Sequence, residues 1–173
     1  ARKWAALRHK PNAEKKIAIV FHNYPATNAN IGSAAGLDSP ESVLSLLRAM
    51  ERAGYVMDEI PESSKAFMKL LTDHATNDRR FMSAALAKSA DGQLTAEQYR
   101  AFFTELPAQV RSQLVRDWGD EPGDVLSYDG ILLIPGTLNG NLFITVQPPR
   151  GFGEDPGKLL HSPDAAPTHH YIG

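Results

Sequence analysis

Five consecutive apolar residues, Ile17-Ala18-Ile19-Val20-Phe21, follow Lys15-Lys16 and stop at the polar cluster His22-Asn23-Tyr24-Pro25. A run this short, rich in β-branched residues and without a polar residue to face water, fits a strand buried on both faces. Such strands belong to parallel sheets covered by helices. A loop rich in Asn, Gly and Ala then leads to Ser39, an expected N-cap, with Pro40 at the first helical position. Val43, Leu46, Leu47 and Met50 follow at helical spacing until Gly54, and Tyr55 to Ile60 predicts a short second strand. Together these make a β-α-β unit, whose right-handed crossover sets its two strands parallel. The expected class is α/β, with a parallel-sheet, Rossmann-like core, a helical middle section and further strands in the C-terminal third.

From Ser63 to Trp118 the pattern is helical, with Phe67, Leu70 and Leu71 in one segment and Phe81, Met82, Ala85 and Leu86 in another, and no strand is expected there. Thr95 with Gln98 is a capping-box signature, and Tyr99, Phe102, Phe103 and Leu106 give that helix an apolar face. Pro107 opens the next helix, which carries Val110, Leu114, Val115 and Trp118 and ends at Gly119 before the acidic turn Asp120-Glu121-Pro122-Gly123-Asp124. Two strand patterns, Ile131 to Ile134 and Leu142 to Val146, flank Asn139-Gly140, which reads either as a reversal between them or as part of a link between separated strands. Gln147 to Gly173 holds five of the twelve prolines and three of the six histidines. That concentration predicts a loop region that builds a site.

At 173 residues and 42% apolar content the chain is expected to form a single domain spanning residues 1–173. It starts at Ala1 and stops at Tyr171-Ile172-Gly173, and so reads as a domain excised from a larger protein. The formal net charge of −2 is interspersed, and no basic run supplies the footprint of a nucleic-acid or anionic-membrane partner. The absence of Cys excludes disulfides, thiolate metal sites and cysteine nucleophiles. The apolar runs fall far short of the ~20 residues of a membrane span, and no signal-peptide pattern opens the chain, so the expected location is cytoplasmic.

Several strings combine the residue types that chemistry needs. Ile31 to Gly36 could present backbone N–H groups to an anion or be a tight turn, and it lacks the Lys-Ser/Thr ending of a P-loop. His22-Asn23-Tyr24-Pro25 lies at the carboxyl end of the first strand, where open α/β sheets place ligands; the alternative is a His and a Tyr satisfying nearby backbone groups. Gln147 to Pro156 offers an amide, the Arg150 cation and the adjacent carboxylates Glu154 and Asp155 on a stiff frame. Those acids could bind a hard cation or take a proton from a ring nitrogen, or could be turn acids paired with Arg150. His161, Asp164, His169 and His170 are ligand types suited to a borderline divalent metal. No two of the three histidines stand at i, i+4, so at most one of His169 and His170 faces a given ligand. No nucleophile elbow, kinase set or zincin motif is present. From the residues alone, the chain reads as a ligand-binding α/β domain.

The strings themselves, in order, resemble a known family. A strand followed by His22-Asn23-Tyr24-Pro25, then Gly32 to Asp38, Trp118 to Asp124, Gly140 to Gly151, Gly151 to Pro156 and His161 to Tyr171 are similar to the CobN-type cobaltochelatase and magnesium-chelatase large subunits. The resemblance implies insertion of a divalent metal into a tetrapyrrole, with the macrocycle held here and ATP hydrolysed by separate AAA+ partner subunits. It implies catalytic roles for Glu154, His169 and His170, substrate contacts from His22, Asn23, Tyr24, Gln147 and Arg150, and metal contacts from His161 and Asp155. His22 to Pro25 and Pro148-Pro149-Arg150 look like the cobalt branch, whose substrate would be hydrogenobyrinic acid diamide. The alternatives are magnesium with protoporphyrin, or a scaffold or partner-docking domain of such a subunit. The family's next His- and Glu-containing stretch would follow Gly173, so the isolated fragment is expected to be inactive.

Overall fold

The computed structural model describes residues 2–74, 76–78, 80, 81, 83, 85, 88, 90–149 and 164–173. Ile17–Phe21 forms strand β1 after a short helix, α1 (Arg2–Leu7). β1 runs parallel to β6 (Leu142–Val146), in register from Ile17 opposite Leu142 to Phe21 opposite Val146. β5 (Gly136–Asn139) pairs antiparallel on the far side of β6, giving the order β1-β6-β5. A second sheet joins β2 (Gly92–Thr95), β4 (Ile131–Ile134) and β3 (Ser127–Tyr128), all antiparallel, in the order β2-β4-β3. The class is α/β as expected, but among the described residues the parallel pairing is limited to β1 with β6 rather than extending through a Rossmann-like sheet.

Two expectations about strands are corrected. Tyr55 to Ile60 is not a strand beside β1. It crosses the β5–β6 turn, where Asn141 N–H donates to the Val56 carbonyl at 3.0 Å and Asp58 N–H to the Asn139 amide oxygen at 2.8 Å. Gly140, at φ +59°, permits that approach, since a Cβ there would lie 2.6 Å from Met57 Cα. Asn139-Gly140 therefore reverses the chain between β5 and β6, while β4 belongs to the other sheet. Inside the stretch expected to be wholly helical, Gly92–Thr95 forms β2, where no Cβ stands between Gly92 and the Ile134 carbonyl of β4. Of the segment Phe81 to Leu86, Met82 and Leu86 lie outside the described residues, and Phe81 sits exposed in a turn.

The helices follow their apolar stripes. α2 (Ser39–Arg52) is capped by Asp38, not Ser39, because the Asp38 carboxylate accepts from Glu41 N–H at 3.0 Å. It buries Leu44, Leu47 and Met50, leaving Leu46 exposed. α3 (Ser64–His74) buries Phe67 and Leu71 beside them, and Phe67 meets Phe21 edge-on with ring centroids 5.8 Å apart. With Ile31, Leu142, Ile144 and Val146 these residues form the core on one face of the first sheet. The capping box at Thr95 is present and starts α4 (Ala96–Glu105). α5 (Ala108–Trp118) ends at Gly119 as expected, and Tyr99, Phe103 and Leu114 pack with Leu132 in a second core.

Candidate functional site

Both parallel strands end at the same edge, and a polar cluster forms there. Gln147 N–H continues the ladder to the Phe21 carbonyl at 2.7 Å, which brings the Pro148-Pro149 loop beside His22-Asn23-Tyr24. Asn23 is 1% exposed and donates to the Asn77 amide oxygen at 2.6 Å; Asn77, also 1% exposed, donates in turn to the Gln147 carbonyl at 2.6 Å. Thr27 N–H returns to the Asn23 amide oxygen at 3.3 Å. One buried amide thus ties two loops to a third. Asp78 completes the wall, accepting from Asn28 N–H at 3.1 Å and from Arg80 Nε and Nη2 at 2.9 and 2.7 Å. The Arg80 guanidinium holds the Asp78 carboxyl below the usual carboxylate range, so this buried acid is charged. His22 is exposed and Tyr24 half-buried. Ser33 N–H donates to the Asn30 carbonyl at 3.0 Å and closes a tight turn in which Gly32 sits at φ +72°, while the Gly32 N–H is taken by the His22 carbonyl at 2.7 Å.

A second cluster surrounds α6 (His169–Ile172). His169 Nε2 lies 2.9 Å from the Gly119 carbonyl and Nδ1 lies 2.7 Å from the Tyr99 hydroxyl. A carbonyl only accepts, so Nε2 carries the proton and Nδ1 accepts from Tyr99. Burial, reinforced by the Glu121 charge, pushes Tyr99 up to about 12, which keeps its hydroxyl protonated for that bond. Trp118 Nε1 donates to the Ala166 carbonyl at 2.6 Å, Asp117 accepts from Ala166 N–H at 2.9 Å, and Gly123 leaves room for the His169 ring. The Trp118-to-Asp124 turn and the Thr168-to-Tyr171 segment are therefore one packed unit. Both nitrogens of His169 are used inside it.

His170 differs. It is 5% exposed, its Nε2 pairs with the Leu133 carbonyl, and its Nδ1 has no hydrogen-bond partner among the described residues. Burial lowers its pKa, opposed by the bond to Leu133, so the imidazole is neutral with an unused lone pair. The folded state then binds this proton less readily than the unfolded chain. The stability it contributes is complete above its ordinary value of 6.5 and is lost as pH falls through the folded value. Chemical unfolding between pH 7.5 and 5 is expected to show this loss, and His170→Gln should remove part of the slope; parallel profiles for parent and variant would contradict it.

The structure thus places His22, Asn23, Tyr24 and Gln147 together, and His169 and His170 together on the other sheet, where α6 packs against β4. Arg150, Glu154, Asp155 and His161 lie outside the described residues. Among the described residues no group of three His, Asp or Glu could hold a metal ion, and no helix is long and apolar enough to cross a membrane. Thr76, Asn77 and Asp78 were not expected at the site. Their polar run with Arg79 and Arg80 interrupts the apolar periodicity between Leu71 and Phe81, and that interruption is the sequence signal for them.

Polar loops thus gather where the parallel pair of an α/β domain ends. A family model described as CobN/Magnesium Chelatase matches residues 1–173, and the chain belongs to that family. It is 50% identical over 172 residues to an uncharacterized protein of Methanocaldococcus jannaschii, covering 99% of this chain and 14% of that protein. It is 36% identical to the aerobic cobaltochelatase subunit CobN of Pseudomonas aeruginosa, again covering 99% of this chain and 14% of the relative. Among solved structures, the catalytic subunit of cobaltochelatase from Mycobacterium tuberculosis superposes with a TM-score of 0.79 at 34% identity, over 97% of this chain and 14% of that one. The chain therefore spans about 14% of the length of each of these relatives.

Proposed function

We propose that this domain belongs to the tetrapyrrole-binding large subunit of a metal chelatase, and that the subunit inserts cobalt into a corrin precursor, hydrogenobyrinic acid a,c-diamide. The observation that carries the reading is the match along all 173 residues to the chelatase family, joined to the gathering of His22, Asn23, Tyr24 and Gln147 at the end of the β1–β6 pair. Insertion exchanges two ring N–H protons for one divalent cation, so the site must accept two protons while excluding water. In this reading His22, Tyr24, Gln147 and Arg150 grip the polar rim of the macrocycle, and Asn23 fixes their loop. Asp155 and His161 hand over the cation. Glu154 and His170 accept protons, the latter at its unused Nδ1. His169 positions the segment, because both its nitrogens are engaged. AAA+ partner subunits hydrolyse the ATP, and the assembly works in the cytoplasm.

A second reading makes the domain a scaffold whose loops support residues elsewhere in the subunit; the internal use of Asn23 and His169 favours it. The two are separated by cobalt insertion in the full-length subunit with its ATPase partners, followed by absorbance. Glu154→Gln should lower kcat by about 10²–10⁴, the usual worth of a positioned acid or base, with little change in KM for the corrin. Unchanged kcat and KM would leave the scaffold reading. Turnover of magnesium and protoporphyrin in preference to cobalt and corrin would move the assignment to the magnesium branch.

A further inference from the structure

Among the described residues the outer edge of β1 is unpaired. Ile17 N–H donates to the Asn141 carbonyl and Gln147 N–H to the Phe21 carbonyl, so the parallel ladder uses the backbone groups of Ile17, Ile19 and Phe21. The N–H and C=O groups of Ala18 and Val20 point the other way, and among the described residues β1 pairs only with β6. Strand edges are ordinarily blunted by a charge, a proline or a bulge, and Ile-Ala-Ile-Val-Phe contains none of these. The face carrying Ala18 and Val20 is open as well. Val20 is 56% exposed and Leu138 54%, and a groove of about 480 Å³ runs along this flank between Lys16, Ala18, Leu138 and Phe143 on one side and Gly92 and Gln93 on the other. A parallel strand with one uncovered face and one unpaired edge departs from the burial such strands require.

We propose that an extended apolar segment of the same, longer polypeptide adds to this edge as a further strand, its alternate side chains covering Val20 and entering the groove. The chain spans 14% of its relatives' length, which leaves ample polypeptide to supply that strand. Size argues against a second copy. An edge with only two outward-facing residues buries far less than the roughly 1,200–2,000 Å² of a stable interface between separate molecules. Tethering in one chain removes that requirement, because the strand is held at high effective concentration.

Hydrogen exchange of the full-length protein, resolved to single residues across 16–22, tests this directly. The amides of Ala18 and Val20 should be protected to within about tenfold of Ile19, whose bond to β6 reports that β1 is formed. Exchange of Ala18 and Val20 at the rate of an unstructured peptide, with Ile19 protected, would overturn the proposal. Protection that disappears on dilution would place a second copy on the edge and would equally overturn it.

Discussion

Asn77→Ala is expected to destabilise the domain by about 2–6 kcal/mol, because each buried polar group left unsatisfied costs about 1–3 kcal/mol and this change orphans two. The Asn23 amide loses its acceptor and the Gln147 carbonyl loses its donor, both inside a cluster where Asn23 and Asn77 are 1% exposed. Asn77→Asp should be at least as damaging, since it removes the donor to Gln147 and adds a buried charge. The midpoint of urea unfolding measures the loss. A change below about 0.5 kcal/mol, the scale of surface substitutions, would mean that the amide does not tie the loops together.

His169→Ala carries a comparable cost from a different source. The ring sits between Tyr99 and Phe103, with centroids 5.6 and 5.5 Å away, and both nitrogens are bonded. Truncation opens a cavity and strands the Tyr99 hydroxyl, for about 3–5 kcal/mol in all. Tyr99→Phe, which keeps the volume and removes only the donor to Nδ1, should cost about 1–2 kcal/mol. If His169→Ala leaves unfolding unchanged while metal insertion falls, the residue acts in the chemistry and its positioning role is wrong.

How much of this was readable from the residues depended on whether the information was local. β1, the capping box at Thr95 and Gln98, and the stop at Gly119 are short-range features in which turn chemistry and periodicity decide, and the structure has them where expected. The parallel partner of β1 is not local: it comes from β6, more than a hundred residues on, and nothing in the spacing of Tyr55 to Ile60 distinguishes a strand from a segment crossing a turn. Reading β1 as buried on both faces failed for a related reason. Apolar composition states what a strand would bury, not whether the cover lies within these residues, and Ala18 and Val20 remain exposed.

The same division holds at the site. His22, Asn23, Tyr24 and Gln147 stood out because unusual polar strings follow strands. Asn77, which joins them, lies in the stretch expected to be helical and acts through contacts 54 and 70 residues away, so the polar run that marks it names neither partner. The separation of His169 from His170 likewise depends on tertiary partners. Adjacent residues of one type face different surroundings: one ring is closed off by Tyr99 and Gly119, the other keeps an unused nitrogen.

The most direct test of the chelatase reading is an absorbance titration of the corrin precursor, and separately of a porphyrin, into the full-length subunit and its Arg150→Ala and Asn77→Ala variants. The account predicts saturable corrin binding by the parent, weaker binding by both variants, and a preference for corrin over porphyrin. Corrin binding by both variants as tight as the parent's would contradict it, and would remove the end of the β1–β6 pair from the substrate site.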